Sequence, residues 1–305
     1  MPRFSIVLPC FNAAATIGAT LASLQAQSVS DWEAIFVDDN STDQTLQILA
    51  EAAAFDDRLR LVANPRRGPS AARNHGALTV ARGEIIAFCD ADDLWSPGKL
   101  AELDRAFAKD IDAAFGRTAF FTADPDRITT TSTLPEGPLT LATLLGENPV
   151  CTMSNLSIRA GRFAATGGFD ERLAQNEDLE WLIRLVGEGA CVTPIHSVQT
   201  FYRASTGGLS ADLGAMRRGR AAALQTAARF GAAPTPRDEA IFLRYLARRA
   251  LRLDQGRFLA LRLALAGLAA SPAGFFSDAR RGGMTVAGAL AAPILPRPLR
   301  HALFT

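Results

Sequence analysis

The stretch Gly83-Glu84-Ile85-Ile86-Ala87-Phe88-Cys89-Asp90-Ala91-Asp92-Asp93 restricts the chain more than any other. Residues 85–89 form an unbroken apolar run, the pattern of a strand buried on both faces of a parallel sheet. Three carboxylates then follow within four residues. Like charges crowded at a strand end are unfavourable unless a cation shares the place. Asp90 and Asp92, two apart, can converge on one point, and oxygen-only ligands suit Mg²⁺ or Mn²⁺. Such an ion keeps several waters and is commonly shared with substrate phosphates. The competing reading is an exposed acidic turn before a helix, capped by Asp93 or Ser96.

The segments around it predict an α/β chain. Residues 4–8 read as a short strand ended by Pro9, residues 14–27 as a helix, and residues 32–37 as a strand closed by Asp38-Asp39-Asn40-Ser41. Residues 59–62 give a third strand, and a helix carrying Arg73, capped by Ser70, runs to about residue 81. Strands and helices alternating over such short connections predict a mainly parallel, doubly wound sheet flanked by helices. Ligands of such sheets bind outside the carboxyl ends of the strands. Those ends carry Pro9-Cys10-Phe11-Asn12, Asp38-Asp39-Asn40 and Asp90-Ala91-Asp92. No GxGxxG turn follows the first strand and no GxxxxGK[ST] loop occurs, which argues against a common dinucleotide or P-loop site. Further on, residues 96–109, 139–145 and 176–186 predict helices. Residues 112–121, 151–158, 191–193 and 198–203 have strand character.

Net charge is +1 but unevenly spread. Residues 1–208 carry 17 Lys and Arg against 26 Asp and Glu, and residues 209–305 carry 15 against 5. Two parts are expected: an acidic domain over 1–212 and a helical basic C-terminal extension over 213–305. In the extension Arg244, Arg248, Arg249, Arg252 and Arg257 alternate with leucines, an amphipathic basic pattern. Such helices either pack on protein with their arginines in water or lie on an anionic membrane surface. The four cysteines are far apart with no CxxC pair, so free thiols in a reducing cytosol are expected and a zinc site is not. The N-terminus does not read as a signal peptide, and no uncharged apolar run reaches the roughly 18 residues of a membrane span. A cytoplasmic location is expected, with peripheral attachment to the inner face of the cell membrane as the alternative.

Five segments, in this order and spacing, resemble the inverting GT-A glycosyltransferases of family 2, which move a sugar from a nucleotide diphosphate. They are Ser5-Ile6-Val7-Leu8-Pro9-Cys10-Phe11-Asn12, Val37-Asp38-Asp39-Asn40-Ser41-Thr42-Asp43, Gly68-Pro69-Ser70-Ala71-Ala72-Arg73-Asn74-His75-Gly76, Asp90-Ala91-Asp92-Asp93 and Asn176-Glu177-Asp178. The resemblance covers about residues 3–210 and leaves out the basic tail. It implies a GT-A nucleotide-diphospho-sugar transferase fold. It also implies donor-binding roles: Pro9 and Phe11 shaping the nucleobase pocket, Asp39 with Asp38 accepting from base or ribose, and Arg73 facing the base or diphosphate. By the same resemblance Asp90 touches the ribose, and Asp92, with Asp90, holds Mg²⁺ or Mn²⁺ on the diphosphate. Asp178 becomes the general base, with Glu177 beside it. The implied partners are a nucleotide-diphospho-sugar, a UDP-sugar first among them, and the hydroxyl of a glycan or lipid-linked acceptor, as in bacterial surface-polysaccharide assembly. No nucleic acid is expected.

The residue types suit that chemistry. A nucleoside diphosphate leaving group develops negative charge that a divalent ion stabilises as a Lewis acid. An inverting transfer needs one base for the acceptor hydroxyl, and a carboxylate in a partly dry site beside another carboxylate gains a suitable pKa. Arg203, just after a strand, can reach the diphosphate from the far side or remain a surface arginine. Other readings stay open. Asp38-Asp39 fits a turn and helix cap, and Glu177-Asp178 fits an acidic pair favoured by the helix dipole. Trp181 fits a core residue or a platform for an acceptor sugar. Two rivals are a non-catalytic nucleotide-sugar-binding or scaffold protein on the same fold, and a nucleotidyltransferase. The latter is expected to show a Gly-rich, basic loop after its first strand, which Cys10-Phe11-Asn12-Ala13 is not.

Overall fold

In the computed structural model, residues 1–204 and 212–304 are described. They form two compact units, one of residues 1–139 with 149–204 and one of residues 140–148 with the described residues from 212 onward.

The first unit is built on the predicted parallel strands. β1 (Phe4–Cys10), β2 (Trp32–Asp38), β3 (Leu59–Ala63) and β4 (Ile85–Phe88) lie side by side in the order β3-β2-β1-β4. All three of their pairings are parallel. The apolar runs are explained by burial on both faces: β2 and β4 are buried along their whole length, and β1 everywhere but Pro9. Helices α1 (Ile17–Gln25) and α2 (Thr45–Ala53) make the first crossovers, with Ile17, Leu21, Leu24 and Leu49 turned into the core. The sheet continues from β4 through antiparallel β8 (Leu156–Arg159) to β6 (Ala113–Phe121), then β9 (Val192–Arg203) and β5 (Leu94–Trp95). A short β7 (Thr130–Thr131) pairs with β6. The remaining helices of this unit are α3 (Pro69–His75), α4 (Lys99–Phe107), α6 (Ala160–Ala165) and α7 (Glu177–Gly187).

Five local expectations are corrected. Pro9 does not end its strand; β1 runs on to Cys10, paired with Asp38 of β2. By that point β4 has ended opposite Val7, so the missing proline N–H leaves only one flanking strand to serve. Ser70 does not cap α3. Gly68, at φ 91°, stands at the N-cap and Pro69 takes the first helical turn, where its missing N–H costs nothing. Past His75 the helix widens into a π turn over Gly76–Val80, because it runs hard against β1: a Cβ on Gly76 would sit 2.5 Å from a Val7 methyl. The two short strands predicted after residue 190 are one strand, β9. It stays paired to β6 because a shift of register between Phe115 and Thr118 absorbs its extra residues. Finally, residues 151–158 are strand only from Leu156; Met153–Asn155 is a 3₁₀ turn.

The second unit is helical. It contains α5 (Leu141–Gly146), α8 (Leu213–Arg229), α9 (Pro236–Arg252), α10 (Leu259–Ala270), α11 (Pro272–Phe275), α12 (Ala279–Ala291) and α13 (Arg297–Phe304). Helix α9 starts from a full capping box, with Thr235 and Asp238 satisfying each other's backbone N–H and Pro236 in the first turn. Its Ala240, Leu246, Ala247, Ala250 and Leu251 pack against Leu263, Ala264, Phe275 and Ala289. Of its arginines, Arg244 is buried and donates to the Phe275 carbonyl at 2.8 Å, while Arg248 and Arg252 are exposed. No helix of the described residues is long and apolar enough to cross a membrane.

Candidate active site

Because β1, β2 and β4 are parallel neighbours, their carboxyl ends open along one edge of the sheet. The loops there are stitched together. Asp39 N donates to the Cys10 carbonyl at 2.7 Å, Asn12 Oδ1 accepts from Thr42 N at 2.8 Å, and Ser41 Oγ accepts from Asn12 N at 3.0 Å. Asn12, Asn40 and Asn176 have left-handed backbones, φ 48°, 65° and 58°. Asparagine tolerates that conformation better than most residues with a Cβ, and such departures gather at functional loops.

The two aspartates after β2 do different work. Asp38 is buried and accepts from Ser41 N at 3.2 Å, so it does close its own turn. Asp39 reaches further. Its Oδ1 accepts from Asn64 Nδ2 at 2.7 Å and its Oδ2 from Gly68 N at 2.9 Å, which ties β2 to the start of α3. Pro9 stays inside β1, and Phe11, just beyond, is 62% exposed.

Arg73 stands at the centre. Its side chain is buried, and its guanidinium donates to Asp90 Oδ1 at 2.6 Å and to Glu177 Oε1 at 3.2 Å. Asn74 next to it accepts from Phe169 N at 2.8 Å and donates to the Phe169 carbonyl and to Glu171 Oε1, both at 2.9 Å. One turn of α3 therefore grips the strand-end carboxylate, the loop at 169–171 and the start of α7. Helix α7 is fixed from its far side as well. Trp181 is fully buried among Phe163 and Phe169, with ring centroids 5.5 and 5.0 Å away, and donates to Thr166 Oγ1 at 2.9 Å. It is a core residue and offers no face to an acceptor sugar.

At the head of α7, Asp178 is partly buried and its Oδ1 accepts from Leu179 N at 2.8 Å. Burial and then the neighbouring charge of Glu177 push its carboxyl up to about 7, against the pull of Arg73.

The second carboxylate cluster lies on the other side of Asp90. Asp90 Oδ2 accepts from Thr152 Oγ1 at 3.1 Å, and Asp90 N donates to Ser154 Oγ at 2.8 Å. Asp93 is fully buried. It accepts from Ser154 Oγ at 2.6 Å and from Arg203 N at 3.0 Å. It caps no helix, and neither does Ser96: α4 starts at Lys99 behind Gly98, with no side-chain cap bond. Lys99 is fully buried too. Its Nζ donates to the Ser154 carbonyl at 2.6 Å and to Thr200 Oγ1 at 3.1 Å, and lies 4.1 Å from the Trp95 ring centre. Burial pulls its ammonium down to about 7. Arg203 donates through Nε to the Asp92 carbonyl at 3.1 Å, with its guanidinium over the Phe121 ring.

Asp92 differs from its neighbours. Among the described residues no other residue donates to its carboxylate and no ion pair forms on it. Burial and then Asp90 raise it to about 6, with Arg203 pulling the other way. A half-buried carboxylate beside a second one, with no cation of its own, fits a hard divalent ion. Among the described residues no three His, Cys, Asp or Glu side chains form a complete cage. A donor set of one or two carboxylates suits an ion that takes its other ligands from water and phosphate.

The structure thus joins Arg73, Asp90 and Glu177 by direct ion pairs and sets Asp92 and Arg203 beside them. Asp38 and Asp39 are bonded to their own loops and to Asn64 and Gly68. Sequence reasoning missed Asn64, Thr152, Ser154 and Lys99. A lysine at the head of an amphipathic helix looks like a surface residue, and serine and threonine in a polar loop give no local sign of their targets.

A curled mixed sheet with acidic strand ends and helices on its faces defines a GT-A glycosyltransferase fold. Residues 5–165 match the profile described as glycosyl transferase family 2, and the chain belongs to that family. It is similar to two bacterial enzymes. One is the UDP-Glc:alpha-D-GlcNAc-diphosphoundecaprenol beta-1,3-glucosyltransferase WfgD of Escherichia coli, 40% identical over 97 residues, 32% of this chain and 37% of that protein. The other is the GalNAc(5)-diNAcBac-PP-undecaprenol beta-1,3-glucosyltransferase of Campylobacter jejuni, 36% identical over 105 residues, 34% of each. The chain spans about a third of the length of these relatives in its matches. Two solved structures share the fold. The mannosyltransferase PcManGT of Pyrobaculum calidifontis, in complex with GDP-Man and Mn²⁺, aligns with a TM-score of 0.61 at 20% identity over 99% of this chain and 87% of that one. TarS 1-349 of S. aureus, in complex with UDP-GlcNAc, aligns with a TM-score of 0.57 at 18% identity over 96% and 81%.

Proposed function

We propose that the chain transfers a sugar from a nucleotide-diphosphate donor, a UDP-sugar first, to a hydroxyl of a glycan or lipid-linked acceptor, with inversion. The observation that carries this is the Arg73 bridge. One buried guanidinium ties the strand-end carboxylate Asp90 to the head of α7, where Asp178 has a carboxyl raised to about 7. A carboxylate of that basicity, held rigidly at the same crevice as the acidic strand ends, suits removal of a hydroxyl proton during in-line attack.

In this reading Asp178 takes the acceptor proton and Glu177 keeps its basicity high. Arg73 positions both ends. Pro9 and Phe11 flank the base, Asp38 and Asp39 accept from base or ribose, Asp90 meets the ribose, and Arg203 meets the diphosphate. Asp92 and Asp90 would hold Mg²⁺ or Mn²⁺, which when bound supplies Lewis-acid stabilisation of the leaving diphosphate. The names of the E. coli and C. jejuni relatives support a lipid-linked acceptor. Such an acceptor would draw the basic helical unit, an extension to the catalytic domain, to a membrane surface on the cytoplasmic side. The test is calorimetric titration with UDP, GDP, CDP, TDP and ADP, with and without Mn²⁺. Binding of one diphosphate that needs the metal and disappears in Asp92→Ala supports the transferase; no binding to any of the five sinks it.

A further inference from the structure

The helical unit carries an apolar surface that its own core does not use. On α12 the buried residues are Gly282, Thr285, Gly288 and Ala289. The opposite face presents Gly283, Met284, Ala287 and Leu290, and the turn after it presents Ile294. Met284 is 70% exposed, Leu290 58% and Ile294 83%. Helix α13 continues the pattern with Leu299 and Leu303, 50% and 64% exposed. Large apolar side chains at this exposure, repeated along one helix face, are not what a soluble surface carries by chance.

The charges around this face are predominantly cationic, though several are paired. Residues 254–305 contain six arginines against two acidic residues, Asp254 and Asp278, and Asp254 pairs with Arg300 at 2.7 Å. The Asp278 carboxylate is occupied by Arg281, at 3.1 Å, and by the N-cap of α12. Arg280 sits on the exposed face of α12 itself, and Arg297 opens α13, 79% exposed although its Nε lies 3.5 Å from Asp254 Oδ2. A second copy of the chain would set one net-cationic face against another, six arginines against two acids over residues 254–305 on each, so charge disfavours self-association here.

We propose that the exposed face of α12, the turn at 292–296 and α13 dock on an anionic lipid bilayer. Met284, Leu290, Ile294, Leu299 and Leu303 enter the boundary between headgroups and acyl chains, and Arg280 and Arg297 stay at headgroup level. Apolar area and cationic charge then act together, as interfacial helices require. The proposal deepens the membrane side of the function given above and rests on it only for the purpose of docking; the docking itself can fail alone.

The test is flotation of the full-length protein with phosphatidylcholine vesicles, with and without phosphatidylglycerol. Two double variants are compared with the native chain: Leu290→Glu with Ile294→Glu, and Arg280→Glu with Arg297→Glu. All four positions are exposed, and unchanged nucleotide binding and circular dichroism report an intact fold. The native chain is expected to float with the phosphatidylglycerol vesicles, and each double variant to bind them at least about tenfold more weakly. The proposal is overturned if the native chain stays at the bottom of the gradient with anionic vesicles. It is equally overturned if Leu290→Glu with Ile294→Glu floats like the native chain. A native dimer by sedimentation that this variant dissociates, with no flotation, would make a second copy the occupant instead. Nucleotide titration of the same samples is read separately, so loss of the donor assignment and loss of the docking surface are distinguishable.

Discussion

Replacing Asp178 by Asn should cut transfer by orders of magnitude and make the protein more stable. The native carboxyl is raised from the usual 3.8 to about 7 by burial and by Glu177. At about 1.4 kcal/mol per pH unit, ionising it in the folded state costs on the order of 4 kcal/mol relative to the unfolded chain. Below about pH 4 both states are protonated and the group contributes nothing. Between about 4 and 7 the unfolded chain releases the proton while the native state keeps it, so native stability falls as pH rises. Above 7 the full cost is present. Asn keeps an oxygen for Leu179 N and never ionises, so the variant escapes the cost. Its gain over the native protein should be about 1–2 kcal/mol at pH 5 and about 2–3 kcal/mol larger at pH 8. Urea unfolding at the two pH values measures the difference. Transfer should fall by about 10² to 10⁴, with nucleotide binding retained. A gain equal at both pH values would refute the raised carboxyl, and near-native turnover would refute its role as base. The native pH–rate profile should likewise lose activity on its acid side near pH 7.

Asp92→Ala should remove the Mn²⁺ dependence of nucleotide binding, measured by calorimetry; a metal effect that survives would place the ion elsewhere. Arg73→Met should cost about 3–5 kcal/mol in chemical denaturation, since it leaves Asp90 and Glu177 without their shared cation in a buried setting. Arg73→Lys should recover little of that, because one ammonium cannot span two carboxylates as the guanidinium fork does. Ser154→Ala should cost about 1–3 kcal/mol by removing both a donor to buried Asp93 and the acceptor for Asp90 N; an unchanged denaturation midpoint would count against the network. Gly76→Ala should cost about 1–3 kcal/mol, because its methyl would meet Val7 at 2.5 Å.

The parallel half of the sheet was legible because strands buried on both faces must be apolar throughout, and β2 and β4 are. The acidic strand ends were legible for the complementary reason, since charge directly after such a run marks the edge where the sheet meets solvent or ligand. What could not be read was set by distant partners. Lys99 is buried because Ser154 and Thr200, from remote segments, supply its acceptors. The continuity of β9 depends on a register shift against β6, a tertiary event without a local pattern. The Gly68 cap was legible and overlooked: glycine followed by proline at a helix start is a stronger sign than the serine after it. Trp181 could face either way on sequence, and only the aromatic cluster decided it.

Helix α5 lies in the helical unit, although the chain before and after it, residues 1–139 and 149–204, folds into the sheet unit. Its Leu144 and Leu145 are buried, and Arg220 of α8 donates to the Leu145 carbonyl at 3.0 Å. During synthesis these nine residues, 140–148, leave the ribosome roughly 70 residues ahead of α8 and about 90 ahead of α9. The helical unit cannot close until that early segment is recaptured, so helices made later complete a structure begun with residues 140–148. A chain shortened at residue 212 would strand Leu144 and Leu145 in water. Its poor yield or aggregation would report an orphaned nucleus, which is why point substitutions on α12, rather than truncation, separate docking from folding.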